Sequence, residues 1–113
     1  MSEEVRALHK DAQISAQKAR LMANVIRGLS VSQALAVLMH SPKKSARLFE
    51  KVLKSAVANA EQNNGMDVDA LFVSTSKVDE GATLKRFRPK GMGRMRKRFH
   101  RRSHITVAVS ERG

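Results

Sequence analysis

Cysteine is absent from the 113 residues, which excludes disulfides, thiolate metal sites and thiol nucleophiles together. Tryptophan and tyrosine are absent too, and phenylalanine occurs only four times. The core must therefore be built from Ala, Val, Leu, Ile and Met, and the 42% hydrophobic content permits one of modest size. No run approaches the roughly 18 apolar residues needed to cross a bilayer. The opening Met1-Ser2-Glu3-Glu4 is acidic, where signal and transit peptides are basic. The length fits one domain. Acidic side chains are scarce in one place in particular. Residues 81–113 hold 11 basic side chains and one acidic, a net of +10, whereas residues 1–80 hold 11 and nine, a net of +2.

Nearly all of the +12 net charge thus belongs to the last third of the chain. A block of like charge repels itself unless an anionic partner neutralises it. Nucleic acid is the commonest such partner. An anionic membrane requires an amphipathic apolar face, and this segment has none, so no membrane partner is expected.

The rest of the chain reads as an α+β body. Val5 to His9 reads as a short strand. Ser15 has the form of a helix cap, and Ala19, Met22, Val25, Ile26 and Leu29 follow at helical spacing up to a stop at Gly28. Ser30 with Gln33 resembles a capping box before a second helix, about Val31 to Met39. Ser41-Pro42 reads as the cap and first residue of a third helix. That helix carries Phe49, Val52, Leu53, Ala56, Val57 and Ala60 on one face and stops at Asn63-Asn64-Gly65. Ala70 to Val78 is β-rich. His104 to Ser110 alternates, with Ile105, Val107 and Val109 toward a core and His104, Thr106 and Ala108 on the other side. The two runs are expected to pair antiparallel.

Their connection carries the charge. From Lys85 to Arg102, ten of eighteen residues are basic and none is acidic. Pro89, Gly91 and Gly93 mark a chain reversal. The segment, about 81–102, reads as a long protruding β-hairpin with legs of roughly 30 Å at ~3.3 Å per residue. A two-stranded ribbon without an apolar face is marginal in water, so this arm is expected to order against its partner. Arg guanidinium groups suit phosphate oxygens in geometry as well as charge. Leu84, Phe87, Met95 and Phe99 are placed to stack on bases or to hold the ribbon together. A second cationic patch is expected on helix three, where Lys43, Arg47, Lys51 and Lys54 share a face. A solvated surface with a Glu50–Lys54 pair is the alternative reading there.

Catalytic patterns are weak. Ser15-Ala-Gln-Lys18 matches S-x-x-K, but the companion motifs of serine acyl enzymes are missing, and a helix cap explains it. Gly91-Met-Gly-Arg94 lacks phosphate-loop spacing. His100 and His104 share a strand face without a third ligand, so no metal and no cofactor is expected. Asp79 and Glu80 are adjacent on a strand and point to opposite faces. No enzyme activity is expected. A DNA-architectural protein with a basic ribbon arm remains the rival reading.

Several stretches match one family: Ser15-Ala-Gln-Lys-Ala-Arg20, Ile26-Arg-Gly28, Val31-Ser-Gln-Ala-Leu35, Lys51-Val-Leu-Lys-Ser-Ala-Val-Ala-Asn-Ala-Glu61, Val78-Asp-Glu-Gly81, Lys85-Arg86, Pro89, Gly93-Arg94 and Ser103-His-Ile-Thr-Val107. Over nearly its whole length the chain resembles bacterial large-subunit ribosomal protein twenty-two. The resemblance implies three helices packed on a three-stranded antiparallel sheet, and a hairpin that reaches inward through 23S-type ribosomal RNA toward the peptide exit tunnel. It implies a structural role in the cytoplasmic ribosome, support of subunit assembly, and a monomer among neighbouring large-subunit proteins. By position it assigns Lys85, Arg86, Arg88, Lys90, Arg94 and Arg101 to RNA contacts from the arm, and Ser15, Lys18 and Arg20 to contacts from the body. Lys43, Arg47 and Lys51 join them from helix three, and Arg96, Lys97, Arg98 and Arg102 from the Arg-rich second leg. Pro89, Lys90, Gly91, Met92, Gly93 and Arg94 would form the tip beside the nascent peptide. The family's tip usually reads Pro-Arg-Ala-basic-Gly-Arg, so this one departs from the pattern at Lys90, Gly91 and Met92.

Overall fold

The computed structural model describes residues 4–12, 14–80, 84–86, 98–100 and 102–111. In chain order the elements are β1 (Val5–Ala12), α1 (Ala16–Ile26), α2 (Val31–His40), α3 (Lys44–Asn64), a 3-10 turn (Val68–Ala70), β2 (Leu71–Glu80), β3 (Leu84–Arg86), β4 (Arg98–His100) and β5 (Ser103–Glu111). The architecture is α+β, with three helices on a three-stranded antiparallel sheet.

The last strand is the central one. β5 pairs antiparallel with β1, from Val5↔Val109 to His9↔Ile105, and on its other side with β2, from Leu71↔Glu111 to Glu80↔Ser103. Its sequence explains the position. Ile105, Val107 and Val109 are fully buried toward the helices, as their alternation predicts. Thr106 and Ala108, on the opposite face, are buried as well, at 7% and 0% exposure. On that face the Glu4 side chain reaches across β5 to the Ser74 and Thr75 hydroxyls of β2.

The helices cover one sheet face. α3 packs on β1 and β5, α1 on β2, and α2 on α3. α3 buries Phe49, Val52, Leu53, Ala56 and Ala60, with Val57 at the margin. It stops where Gly65 takes a left-handed conformation, φ 62°, which glycine adopts without steric cost. α1 buries Ala16, Ala19, Met22, Ala23 and Ile26. Val25, expected in that stripe, is 50% exposed. It lies about 100° around the helix from Ile26, outside the arc that faces β2.

The start of α3 differs from the sequence reading. The helix begins at Lys44, and its N-cap, Lys43, makes no side-chain cap bond. Ser41 closes α2 instead: its N–H reaches the Leu38 carbonyl at 3.4 Å, and its hydroxyl accepts the Lys43 N–H. Ser41 is extended, φ −84° and ψ 132°, as expected for a residue before proline. The other two caps are where the sequence put them. Ser15 Oγ accepts the Lys18 N–H and Ser30 Oγ the Gln33 N–H.

The α1–α2 turn seals the outer edge of β2. Gly28, φ 85°, donates to the Val73 carbonyl at 2.9 Å, and Val73 returns a bond to the Leu29 carbonyl at 2.8 Å. Ser30 bridges Phe72 beside them. At the start of β5, the buried Ser103 hydroxyl donates to the Ile14 carbonyl at 2.7 Å, tying the sheet to the entry of α1.

Of the expected arm, β3 and β4 pair antiparallel in the register Leu84↔His100, Lys85↔Phe99, Arg86↔Arg98. The expected reversal at Pro89, Gly91 and Gly93 lies outside the described residues.

Candidate nucleic-acid interface

The cationic stripe on α3 is present, and its four members are not equivalent. Lys43, Arg47, Lys51 and Lys54 are all exposed. Arg47 is nonetheless committed to the fold. One of its terminal nitrogens lies 2.8, 3.0 and 2.6 Å from the carbonyl oxygens of Leu38, Met39 and Ser41. The other pairs with Glu50 at 2.7 Å. The last carbonyls of a helix have no partner within it, and they carry partial negative charge. A guanidinium laid across the end of α2 answers both and pins α2 to the first turns of α3. Glu50 also holds Lys54 at 3.1 Å, so the expected i,i+4 pair exists. Lys43 and Lys51 are left facing solvent.

On α1, Ser15 is occupied as a helix cap, and Lys18 is exposed one turn on. Arg20 donates to the Val78 carbonyl at 3.3 Å. Arg27, which the sequence reading passed over, donates to the Ser76 carbonyl and to Asn24 Oδ1. Both arginines thus reach outward-facing carbonyls of β2, continuing the seal begun by Gly28 and Leu29. Arg20 lies on α1 and Arg27 is its extended C-cap seven residues on, a spacing that does not by itself say which carbonyls β2 leaves free.

From the arm, Lys85 and Arg86 lie on β3 and Arg98 on β4, with Arg86 opposite Arg98. Arg88, Lys90, Arg94, Arg96, Lys97 and Arg101 lie outside the described residues, as do Pro89, Gly91, Met92 and Gly93. Arg102 is half-buried, and its Nε is enclosed without a hydrogen-bond partner among the described residues. At the other end of the sheet, Glu4 accepts from the Ser74 and Thr75 hydroxyls at 2.9 and 3.0 Å. These two bonds, ahead of the nearby Arg6, hold its carboxyl below the ordinary range.

Among the described residues no three His, Asp or Glu side chains gather as a metal site, and no helix is long and apolar enough to cross a membrane. The arrangement offers dispersed cations on helix and ribbon, which is suited to phosphate contact. Comparison with known families then gives a match to the model of ribosomal protein L22p/L17e over residues 7–110, from within β1 to one residue short of the end of β5. The chain belongs to the ribosomal protein L22p/L17e family. Membership makes it a protein of the large ribosomal subunit and a participant in translation. L22p/L17e proteins are structural constituents of the ribosome, not an enzyme family. The match also takes in both strands of the basic ribbon.

Proposed function

We propose that the protein is a scaffold of the large subunit that binds 23S-type ribosomal RNA and supports subunit assembly. The body docks at the subunit surface among neighbouring proteins. The arm, residues 81–102, threads inward through RNA, and its tip, Pro89 to Arg94, helps line the peptide exit tunnel beside the nascent chain. The observation that carries this reading is the separation of core from charge. Among the described residues, every member of the hydrophobic core falls between Val5 and Val78 or between Ile105 and Val109. The ten-cation run from Lys85 to Arg102 lies between those two stretches in the sequence. An element that must lie among packed phosphates gains from being thin and cationic, and it needs no core of its own.

On this reading Lys18, Lys43 and Lys51 meet phosphates from the body, while Lys85, Arg86, Arg88, Lys90, Arg94, Arg96, Lys97, Arg98, Arg101 and Arg102 meet them along the arm. Ser15, Arg20 and Arg47 act at the same surface mainly by holding α1 and α2 in place.

The test is gradient fractionation of a lysate containing tagged protein, with salt washes. Binding through phosphates alone loses roughly 10³–10⁵ in affinity between 50 and 200 mM salt for a protein that neutralises 6–10 phosphates. A threaded arm leaves only when the RNA opens, so salt-resistant co-sedimentation with large subunits is expected. Absence from ribosomes with recovery in the nucleoid would sink the proposal and favour a DNA-bending ribbon.

A further inference from the structure

Helix α3 changes character halfway along its exposed side. Residues 43–54 hold five basic side chains, whereas residues 55–64 hold none and a single acid, Glu61. The two halves share one face. Lys51, Ser55, Asn59 and Gln62 are all exposed, and helical geometry sets them within an arc of about 80°, with Ala58 beside them. They follow one another over roughly 16 Å of helix axis. On the opposite side Val52, Leu53, Ala56 and Ala60 are buried. The C-terminal half thus presents a hydroxyl and two carboxamides in line with the solvent-facing ammonium group of Lys51.

The fold makes no use of these groups. Among the described residues, the side chains of Ser55, Asn59 and Gln62 have no hydrogen-bond partner. Serine and asparagine are also poor choices for a helix interior, because their side chains compete for backbone bonds. A face that served solubility alone would be better built from Lys and Glu pairs, as Glu50 and Lys54 are one turn earlier. A local preference broken without a compensating contact in the fold points to a duty outside it. The chemistry of the face narrows what meets it. A protein partner needs large apolar or aromatic anchors at the centre of its footprint, and no exposed apolar residue from Lys51 to Gln62 is larger than Ala58. A lipid surface needs an apolar face as well. Contact with phosphate alone calls for cations, and residues 55–64 have none. Groups that both donate and accept without charge match the edges of bases.

We propose that Ser55, Asn59 and Gln62 read the edges of unpaired bases in ribosomal RNA, while Lys51 holds the adjoining phosphates. This rests on the RNA-binding reading above and adds to it the residues that set sequence preference. Phosphate contacts fix register, and base contacts specify. The bases are unpaired ones, because the deep groove of an A-form duplex hides its base edges from side chains, whereas loops and bulges splay theirs out. The small side chains of Ser55 and Ala58 let that strand come close to the helix, within reach of the amides at 59 and 62. Glu61, at the margin of the same arc, repels phosphate and accepts from an exocyclic amine such as that of cytosine. Both effects turn the base side of the strand, not its backbone, toward this half of α3.

The experiment uses the full chain with two probes at matched salt, transcripts of 23S-type and of 16S-type ribosomal RNA. The ratio of the two dissociation constants is read together with the log–log salt slope for the 23S-type RNA. The test variant is Ser55→Ala/Asn59→Ala/Gln62→Ala, and Lys51→Ala is the control. Alanine is the better helix former at all three positions, so the test variant should melt at or above the wild-type temperature, which separates lost binding from lost folding. The expected result is a preference for 23S-type RNA reduced about tenfold or more, with an unchanged salt slope because no cation is removed. Lys51→Ala should instead weaken binding to both RNAs by a similar factor and make the slope shallower by about 1. A test variant that keeps the wild-type preference overturns the proposal. A benzophenone photocrosslinker in place of the Gln62 side chain, carried into large subunits, gives a second readout. Crosslinks to unpaired nucleotides are expected, and crosslinks to paired nucleotides or to a neighbouring protein overturn the proposal. A wild-type chain with no preference between the two RNAs removes the underlying RNA-binding reading itself, and is recognisable before any variant is compared.

Discussion

Three arginines and three lysines of the helices and their caps divide by residue type between fold and surface. Arg20, Arg27 and Arg47 spend their guanidinium groups on backbone carbonyls, whereas Lys18, Lys43 and Lys51 keep their ammonium groups in solvent. The division follows from chemistry, because a planar guanidinium offers five donors and spans several acceptors where an ammonium is a point charge. Arg47→Ala should therefore destabilise the protein by about 1–2 kcal/mol, within the range for bonds to charged groups and reduced by the exposure of the site. Lys51→Ala should stay within about 0.5 kcal/mol of wild type yet weaken RNA binding. Urea unfolding and an RNA titration on both variants check the pair, and equal stability losses would contradict it. Glu4 adds a pH signature. Its carboxyl is held below the ordinary 4.5 by the Ser74 and Thr75 hydroxyls, so the folded state favours the charged form. That stabilisation is fully present above the unfolded value and fades as the pH falls through the folded one. The stability difference between wild type and Glu4→Gln should thus be constant from pH 6 to 7 and shrink toward zero below pH 4.5, as thermal melts across that range would show.

At the scale of elements, each local rule had one clear success and one clear limit. The apolar stripe of α3 from Phe49 to Ala60 was legible because a 21-residue helix repeats its period many times. α1 is shorter and rich in alanine, so the stripe's edge was ambiguous and Val25 was placed on the wrong side of it. The start of α3 was misread because Ser41-Pro42 carries a strong N-terminal signal. A three-residue connection let Ser41 close the preceding helix instead. The guanidinium seals were illegible, since a sequence does not say which carbonyls a strand leaves free. Gly28 was legible as a stop, but its second task was not: with φ 85° it also aims its N–H at Val73. Nothing lies within 4 Å of a Cβ added there, so backbone conformation alone sets the cost of Gly28→Ala. The cost should be about 1–2 kcal/mol, to be read by urea unfolding. Leu53→Ala, which opens a cavity under a fully buried side chain, should cost about 2–5 kcal/mol in the same assay. A Gly28→Ala loss as large as that of Leu53→Ala would mean that the turn does more than seal one edge.

The whole molecule separates two tasks that most small domains merge. Among the described residues the core lies outside residues 81–102, and on the proposed reading binding is concentrated in that segment, which has no acidic side chain. The two can therefore be cut apart. Arg86 and Arg98 are cross-strand partners, so replacing residues 87–97 with Asn-Gly gives the two-residue link that an antiparallel pair favours. The replacement removes five basic residues and no acidic one, lowering the net charge from +12 to +7. If core and charge are independent, the shortened chain should unfold at the temperature of the wild type or slightly above it, because removing five like charges lowers the self-repulsion of the free chain. Its log–log salt slope for ribosomal RNA should fall by about 4, close to one unit for each phosphate that the removed cations neutralise. It should also leave large subunits at a salt concentration that the full-length chain withstands, since no threaded tip would hold it. A shortened protein that melts well below the wild type would show that the arm supports the body, and a full salt slope would show that the cations of the tip do not meet phosphate. Retention on subunits with a reduced slope would locate the grip in the body, on α3 and α1.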